Sequence, residues 1–225
     1  MKALVYNPTI PRYLALQAVL DNLPGNGDRV LVIGGGVIGA MVVKSIRALG
    51  IGCDITVIEP SGFAAEYAQR SGADRAIKAA IIDAASRIAG GKAYQPLLGE
   101  PVVMGGFDRI FDTVGHRDTL NRSLRALATN GTLSVLGIGA EVKLDLTPLW
   151  LKLQTIRGVY AHAVNTVDGR REHVFETALR FAAEGRVNLQ GMITHTFPLE
   201  RYTDMIEVNM RKAANRAVKT AVSFP

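Results

Sequence analysis

A chain of 225 residues in which 48% are apolar can bury a sizeable core, which excludes a wholly disordered segment. Its net charge of +6 comes from scattered lysines and arginines without interleaved aromatics, which argues for a solvated basic surface and against nucleic acid as a partner. One cysteine, Cys53, excludes an internal disulfide framework and a CxxC zinc site, and neither a signal peptide nor an 18-residue apolar run is present, so a cytoplasmic protein with no membrane contact is expected.

Residues 28–33 form an apolar run ending in Gly34, Gly35 and Gly36, as a buried strand entering a tight turn does. Small and apolar residues at nearly every position of 37–49 predict a mostly buried helix stopped by Gly50. A second strand is expected at 54–59, a helix at 63–71, a third strand at 75–78 and a third helix at 80–89. Five glycines and two prolines in 90–106 predict a long loop. A fourth strand at 107–112, a helix at 118–128 and a fifth strand at 131–136 follow. Thr147 and Pro148 predict a capped short helix through 152, and a sixth strand at 155–160 precedes a helix at 171–183. From 193 the alternation gives way to a strand, a helix and a final apolar run at 217–224.

Six strands alternating with helices specify an α/β fold. The expected architecture is a doubly wound, parallel six-stranded Rossmann sheet with a short N-terminal arm and a C-terminal strand-helix-strand tail.

The sharpest feature is the GxGxxG of Gly34, Gly36 and Gly39, set between the first strand and the first Rossmann helix. Gly34 permits the turn, Gly36 lets backbone approach a pyrophosphate, and Gly39 lets helix and strand pack closely. Together with Val37 and Ile38 they open a helix whose free N–H groups attract phosphate. Glu59 ends the second strand twenty residues after Gly39, where its carboxylate can accept ribose hydroxyls and repel a 2′-phosphate. Pro60, Ser61 and Gly62 follow it, and no arginine stands there to hold such a phosphate. The expected cofactor is therefore NAD rather than NADP. Glycine spacing argues against a methyltransferase that uses S-adenosylmethionine. A short-chain dehydrogenase needs a lysine four residues after a tyrosine, which none of the six tyrosines has.

With those residues placed, the chain resembles the medium-chain dehydrogenase/reductase family, the zinc-type alcohol and threonine dehydrogenases. The likeness rests on GDRVLVIGGGVIGAMVVKSIRALG at 27–50, SGAD at 71–74, FDRIFDTVG at 107–115 and NGTLSVLGIG at 130–139. The MKALVYNP opening and the KTAVSF ending add to it. The resemblance implies further cofactor contacts at Thr113, Val114 and Gly115 after the fourth strand, and at Gly137, Ile138 and Gly139 after the fifth. It also implies a homodimer joined edge to edge through the Rossmann sheet.

In that family a GroES-like catalytic domain precedes the cofactor domain and carries zinc and most of the substrate specificity. The core of that domain has no counterpart in this sequence, so 1–17 reads as its remnant, 18–192 as the NAD-binding domain and 193–225 as a tail that would return to it. The tail strands would then lack their partner and pair with residues 1–6 or with a second copy. No Gly-His-Glu motif occurs, and His116, His162, His173 and His195 show no metal-ligand spacing, so no zinc is expected. Of the four, only His116 follows a strand closely enough to approach the cofactor. The leading expectation is an NAD(H)-binding domain with little or no turnover alone. The alternative is an NAD-responsive binding module acting on a protein partner. A complete enzyme that uses a separate catalytic subunit is also left open, since one chain does not show its partners.

Overall fold

The alternation of apolar runs and amphipathic stretches becomes a layered structure in the computed structural model, which describes residues 9–224 apart from 98, 138 and 140. The arm at 1–6 and Ile138 lie outside the described residues. A helix, α1 (Thr9–Asp21), leads into β1 (Arg29–Ile33), α2 (Val37–Ala48), β2 (Asp54–Ile58), α3 (Gly62–Arg70), β3 (Arg75–Ile77) and α4 (Ile81–Arg87). Next come β4 (Lys92–Tyr94), β5 (Val102–Met104), β6 (Phe107–Asp112), α5 (Arg117–Ala126), β7 (Leu127–Val135), α6 (Thr147–Leu151) and β8 (Thr155–Gly158). The last part holds β9 (Val164–Val167), β10 (Arg170–His173), α7 (Val174–Ala183), β11 (Ile193–Pro198), α8 (Tyr202–Met210) and β12 (Lys219–Ser223).

Six strands form the expected parallel sheet in the order β3-β2-β1-β6-β7-β8. Chain order reverses between β1 and β6, which is the switch point of a doubly wound sheet. Both faces of the sheet are apolar, because successive strand residues point to opposite sides. Val30, Val32, Ile55 and Phe111 join one core with Ala18 of α1, Ile46 of α2 and Tyr67 of α3. Leu31, Ile33 and Ile110 join the other with Ala84 of α4 and Leu124 of α5. Each fully buried Val, Leu, Ile or Phe among them stabilises the fold by about 1.5–3 kcal/mol, so the two faces dominate the energetics. A third cluster binds Leu16 of α1 to Val174, Ala178 and Phe181 of α7. α1 runs unbroken through the 17/18 division drawn from sequence, and Ala15, Leu16, Gln17 and Ala18 are all buried.

Four expectations are corrected. The stretch 90–106 contains an antiparallel hairpin, with Lys92 opposite Met104 and Tyr94 opposite Val102. Its glycines frame two very short strands, of which Val103 alone is fully buried, so the alternation is too brief to register. The helix expected at 118–128 stops at Ala126, and β7 begins at once with Leu127. The Leu127 carbonyl is taken by the Lys152 ammonium and the Gln154 amide, which holds the backbone out of the helix. The helix expected from 171 begins at Val174, because 170–173 pair with 164–167 in a hairpin. Asp168 and Gly169 turn that hairpin with φ of +54° and +76°, the Asp-Gly signal of a tight primed turn. The tail strands are not without a partner: β11 and β12 pair in parallel with each other, Phe197 opposite Val222. α8 supplies the crossover such a pairing needs, packing on both strands.

At α6 the cap is also reassigned. Leu146 holds the cap position, and the Asp145 carboxylate accepts the Thr147 N–H at 3.0 Å. Among the described residues no helix is long and apolar enough to cross a membrane.

Candidate dinucleotide-binding cleft

β1 ends at the sheet's switch point, and Gly34 turns the chain there with φ +92°. Its N–H donates to the Ile58 carbonyl at 2.9 Å, which ties the turn to β2. A side chain at Gly34 would meet the Thr113 hydroxyl at 2.6 Å, and a Cβ at Gly39 would lie 1.9 Å from the Gly34 carbonyl oxygen. Gly36 differs: nothing lies within 4 Å of where its Cβ would stand. It is the cap residue of α2, and no side chain caps that helix, so the first-turn amides of Val37, Ile38 and Gly39 have no side-chain acceptor. These features fit a dinucleotide: a turn closed by packing, one glycine open to an incoming group, and a helix N-terminus that favours negative charge.

Glu59 leaves β2 beside this turn. One carboxylate oxygen accepts the Gly35 N–H at 2.7 Å, and the other accepts the Ser61 N–H at 2.8 Å. Both bonds use lone pairs of an acceptor with about four, so capacity remains for hydroxyl donors. Glu59, Gly36, Ser61 and Ala64 line a cleft of about 280 Å³ that Lys212, Ala213 and Val218 close from the tail. Larger clefts, of about 720 and 750 Å³, lie elsewhere: one along α3 beside Lys44 of α2, the other along α5.

The two triplets expected after β6 and β7 come together at the same end of the sheet. The Thr113 hydroxyl donates to the Ile33 carbonyl at 2.7 Å, which binds the β6 turn to the end of β1. Val114 is half exposed beside it. A Cβ on Gly115 would meet the Gly137 carbonyl oxygen at 2.5 Å, and one on Gly139 would meet the Gly115 oxygen equally closely. The small residues therefore let two turns touch each other. Ile138 lies outside the described residues.

Sequence reasoning missed Asp112, the last residue of β6. It is fully buried, and one carboxylate oxygen accepts the N–H groups of Val114 and Gly115, both at 2.9 Å. Its other oxygen has no hydrogen-bond partner among the described residues. An aspartate ending a strand before Thr-Val-Gly is the local signal that could have marked this turn. No local signal could have brought Lys212 and Val218 to the cleft.

The histidines do other work. His116 caps α5, its Nδ1 accepting the Asp118 N–H at 3.3 Å, and His173 caps α7 in the same way. His162 lies against Tyr13, Tyr160 and His173 in a ring cluster, and His195 stacks on Phe197. Cys53 is buried, and burial pushes its thiol up. Among the described residues no three His, Cys, Asp or Glu side chains form a group able to hold a metal ion.

The profile of the zinc-binding dehydrogenases matches residues 37–184. The chain belongs to the zinc-binding dehydrogenase family. Its relatives include the L-threonine 3-dehydrogenase of Saccharopolyspora erythraea, 27% identical over 82% of this chain and 48% of the relative. The L-threonine 3-dehydrogenase of Caldanaerobacter subterraneus is 29% identical over 85% of this chain and 51% of the relative. This zinc-binding dehydrogenase chain thus spans about half the length of the curated relatives it matches.

Solved structures share its fold. The 2R,3R-butanediol dehydrogenase of Bacillus subtilis aligns with a TM-score of 0.74 at 20% identity, over 96% of this chain and 56% of the other. A protein from Escherichia coli described as a short chain alcohol dehydrogenase, complexed with NADH, gives 0.76 at 18% identity over 96% and 58%. A zinc-binding dehydrogenase from Sinorhizobium meliloti bound to NADP gives 0.69 at 22% over 88% and 54%.

Proposed function

We propose that this chain is the NAD(H)-binding unit of a zinc-type dehydrogenase, with the cofactor seated across the switch point between β1 and β6. The observation that carries the reading is the contrast within the glycine turn: Gly34 and Gly39 are closed by protein, and Gly36 is open. Gly36 and the amides of Val37, Ile38 and Gly39 would hold the pyrophosphate, and Glu59 would accept the adenosine ribose hydroxyls. Thr113, Val114, Gly115, Gly137 and Ile138 would flank the nicotinamide half. The unit would span 18–192, with 1–17 as the remnant of a catalytic domain and 193–225 as the tail, whose Lys212 and Val218 line the cleft.

The bound nicotinamide would supply hydride transfer. This chain's own part is to bind the cofactor, orient it and keep a 2′-phosphate out through the charge of Glu59. Alone, this chain is expected to turn over alcohols weakly or not at all. Calorimetric titration with NADH and then NADPH tests the reading. Tight NADH binding with much weaker NADPH binding supports it, and equal binding of both removes the role assigned to Glu59. Failure of both to bind removes the site.

A homodimer through the sheet edge is part of the proposal. β8 is an edge strand, and Trp150 and Leu153 beside it are 67% and 69% exposed. Apolar groups next to an open edge favour pairing with a second copy about a two-fold axis. A monomer in sedimentation at micromolar concentration would refute it.

A further inference from the structure

The cleft of about 720 Å³ along α3, with Lys44 of α2 on its lining, faces the tail, and its lining residues differ from those of the Gly36–Glu59 cleft. Three cations reach its lining from three segments: Lys44 from α2, Arg70 from the end of α3, and Arg216 from the chain just before β12. No aspartate or glutamate is among the described residues that line it. None of the three cations has an ion-pair partner among the described residues. Several partly buried arginines elsewhere are paired: Arg47 with Asp74, Arg75 with Asp54, Arg125 with Asp145, and Arg180 with Glu172.

Two of these cations are held by rings instead of carboxylates. The Lys44 ammonium lies 5.6 Å from the centre of the Tyr67 ring, and the Arg216 guanidinium lies 4.9 Å from that of Phe63. Burial also pushes the Lys44 ammonium below the ordinary lysine range, and a bound anion would favour its charged form. The volume lies within the roughly 300–1,000 Å³ of small-molecule sites. Guanidinium forks suit phosphate oxygens, and Gln190 and Asn215 supply neutral donors on the same lining.

We infer that this cleft binds a small phosphate-bearing organic molecule, with Lys44, Arg70 and Arg216 holding the phosphate, at a site distinct from the dinucleotide cleft. Ile193, an exposed apolar residue on the same lining, offers the remainder of such a molecule an apolar surface.

The test is calorimetric titration of the whole chain with inorganic pyrophosphate at low salt. The comparison is between K44Q/R70Q and a charge-matched control, R117Q/K143Q. K44Q/R70Q is expected to bind pyrophosphate at least tenfold more weakly, with its thermal midpoint and NADH affinity close to those of the parent. The control is expected to stay within about twofold of the parent, as screened surface charges elsewhere contribute little. Should K44Q/R70Q fail to fold, R216Q at an exposed position carries the same expectation. An unchanged affinity in K44Q/R70Q would place pyrophosphate at the glycine turn and overturn the proposal. An equal loss in the control, which reveals general charge attraction only, or no binding to the parent, would overturn it too. NADH binding is read separately, so failure here leaves the dinucleotide reading standing.

Discussion

Gly39 and Gly34 meet so closely that a Cβ on Gly39 would lie 1.9 Å from the Gly34 carbonyl oxygen. That oxygen belongs to backbone, and its residue sits in a positive-φ turn tied to β2. It cannot withdraw without undoing the turn. The pair thus separates what the glycine motif does for the fold from what it does for a ligand.

Gly39→Ala is expected to cost about 1–3 kcal/mol or more through overpacking, and to abolish NADH binding with it. Gly36→Ala, whose new methyl meets open space, is expected to stay within about 0.5 kcal/mol of the parent yet bind NADH at least tenfold more weakly. Urea midpoints and calorimetry measure the two effects. Parent-like NADH binding in Gly36→Ala would refute the proposed seat for the pyrophosphate.

Glu59 holds two turns together and also faces the cleft. Glu59→Ala leaves the Gly35 and Ser61 amides without their acceptor, at a cost of about 1–2 kcal/mol. Its second consequence is a narrowed preference: NADH binding weakens about tenfold while NADPH binding holds or improves. A variant that loses stability but keeps the parent's NADH-to-NADPH ratio would make Glu59 a structural residue only.

Asp112 organises the turn that carries Thr113, Val114 and Gly115. Asp112→Ala removes a buried acceptor of two N–H groups and is expected to cost about 1–3 kcal/mol, with weaker NADH binding. Asp112→Asn keeps an oxygen for those amides and is expected to lose less than half as much. If the two variants unfold at the same urea concentration, the charge and not the acceptor is what the turn requires.

Lys152 is fully buried, with its ammonium donating to the carbonyls of Val103, Arg125 and Leu127. Lys152→Met leaves these acceptors short of a donor and is expected to cost about 1–3 kcal/mol near pH 7. Desolvation, aided by the nearby Arg125 charge, pushes the Lys152 ammonium down from 10.5 to about 8. The folded chain then releases this proton near pH 8 and the unfolded chain near pH 10.5. Between those values the unfolded state binds more protons, so this group makes stability rise with pH in that window, by up to about 3 kcal/mol. Urea midpoints at about pH 7.5 and about pH 9.5, on either side of the folded-state value, should show the parent gaining on Lys152→Met. No relative gain would mean that the three carbonyls keep the ammonium charged.

Much of the sheet and of the candidate site was readable locally. β1, the glycine turn, α2 and Glu59 lie within 31 residues, and each element carries its own periodicity, breaker or acid. The two hairpins were hidden for different reasons. β4 and β5 are three residues each, with glycines around them that read as a loop. β9 and β10 were obscured by the helical spacing of the residues after them, although Asp168 and Gly169 announced the turn.

Read alone, the sequence determined the fold class, the succession of strands and helices in the parallel sheet, the glycine motif, and the acid that follows β2. These follow from short-range rules, in which a run of side chains and its punctuation decide one element at a time. Only the tertiary structure decided that α1 is one helix packed under α7, that β11 and β12 pair with each other, and that Lys212 and Val218 close the cleft over Glu59. It alone gathered Lys44, Arg70 and Arg216 onto one cleft from positions spread over 173 residues of chain. Such contacts depend on which apolar faces are left to cover once the sheet has formed, and no window of sequence holds both partners.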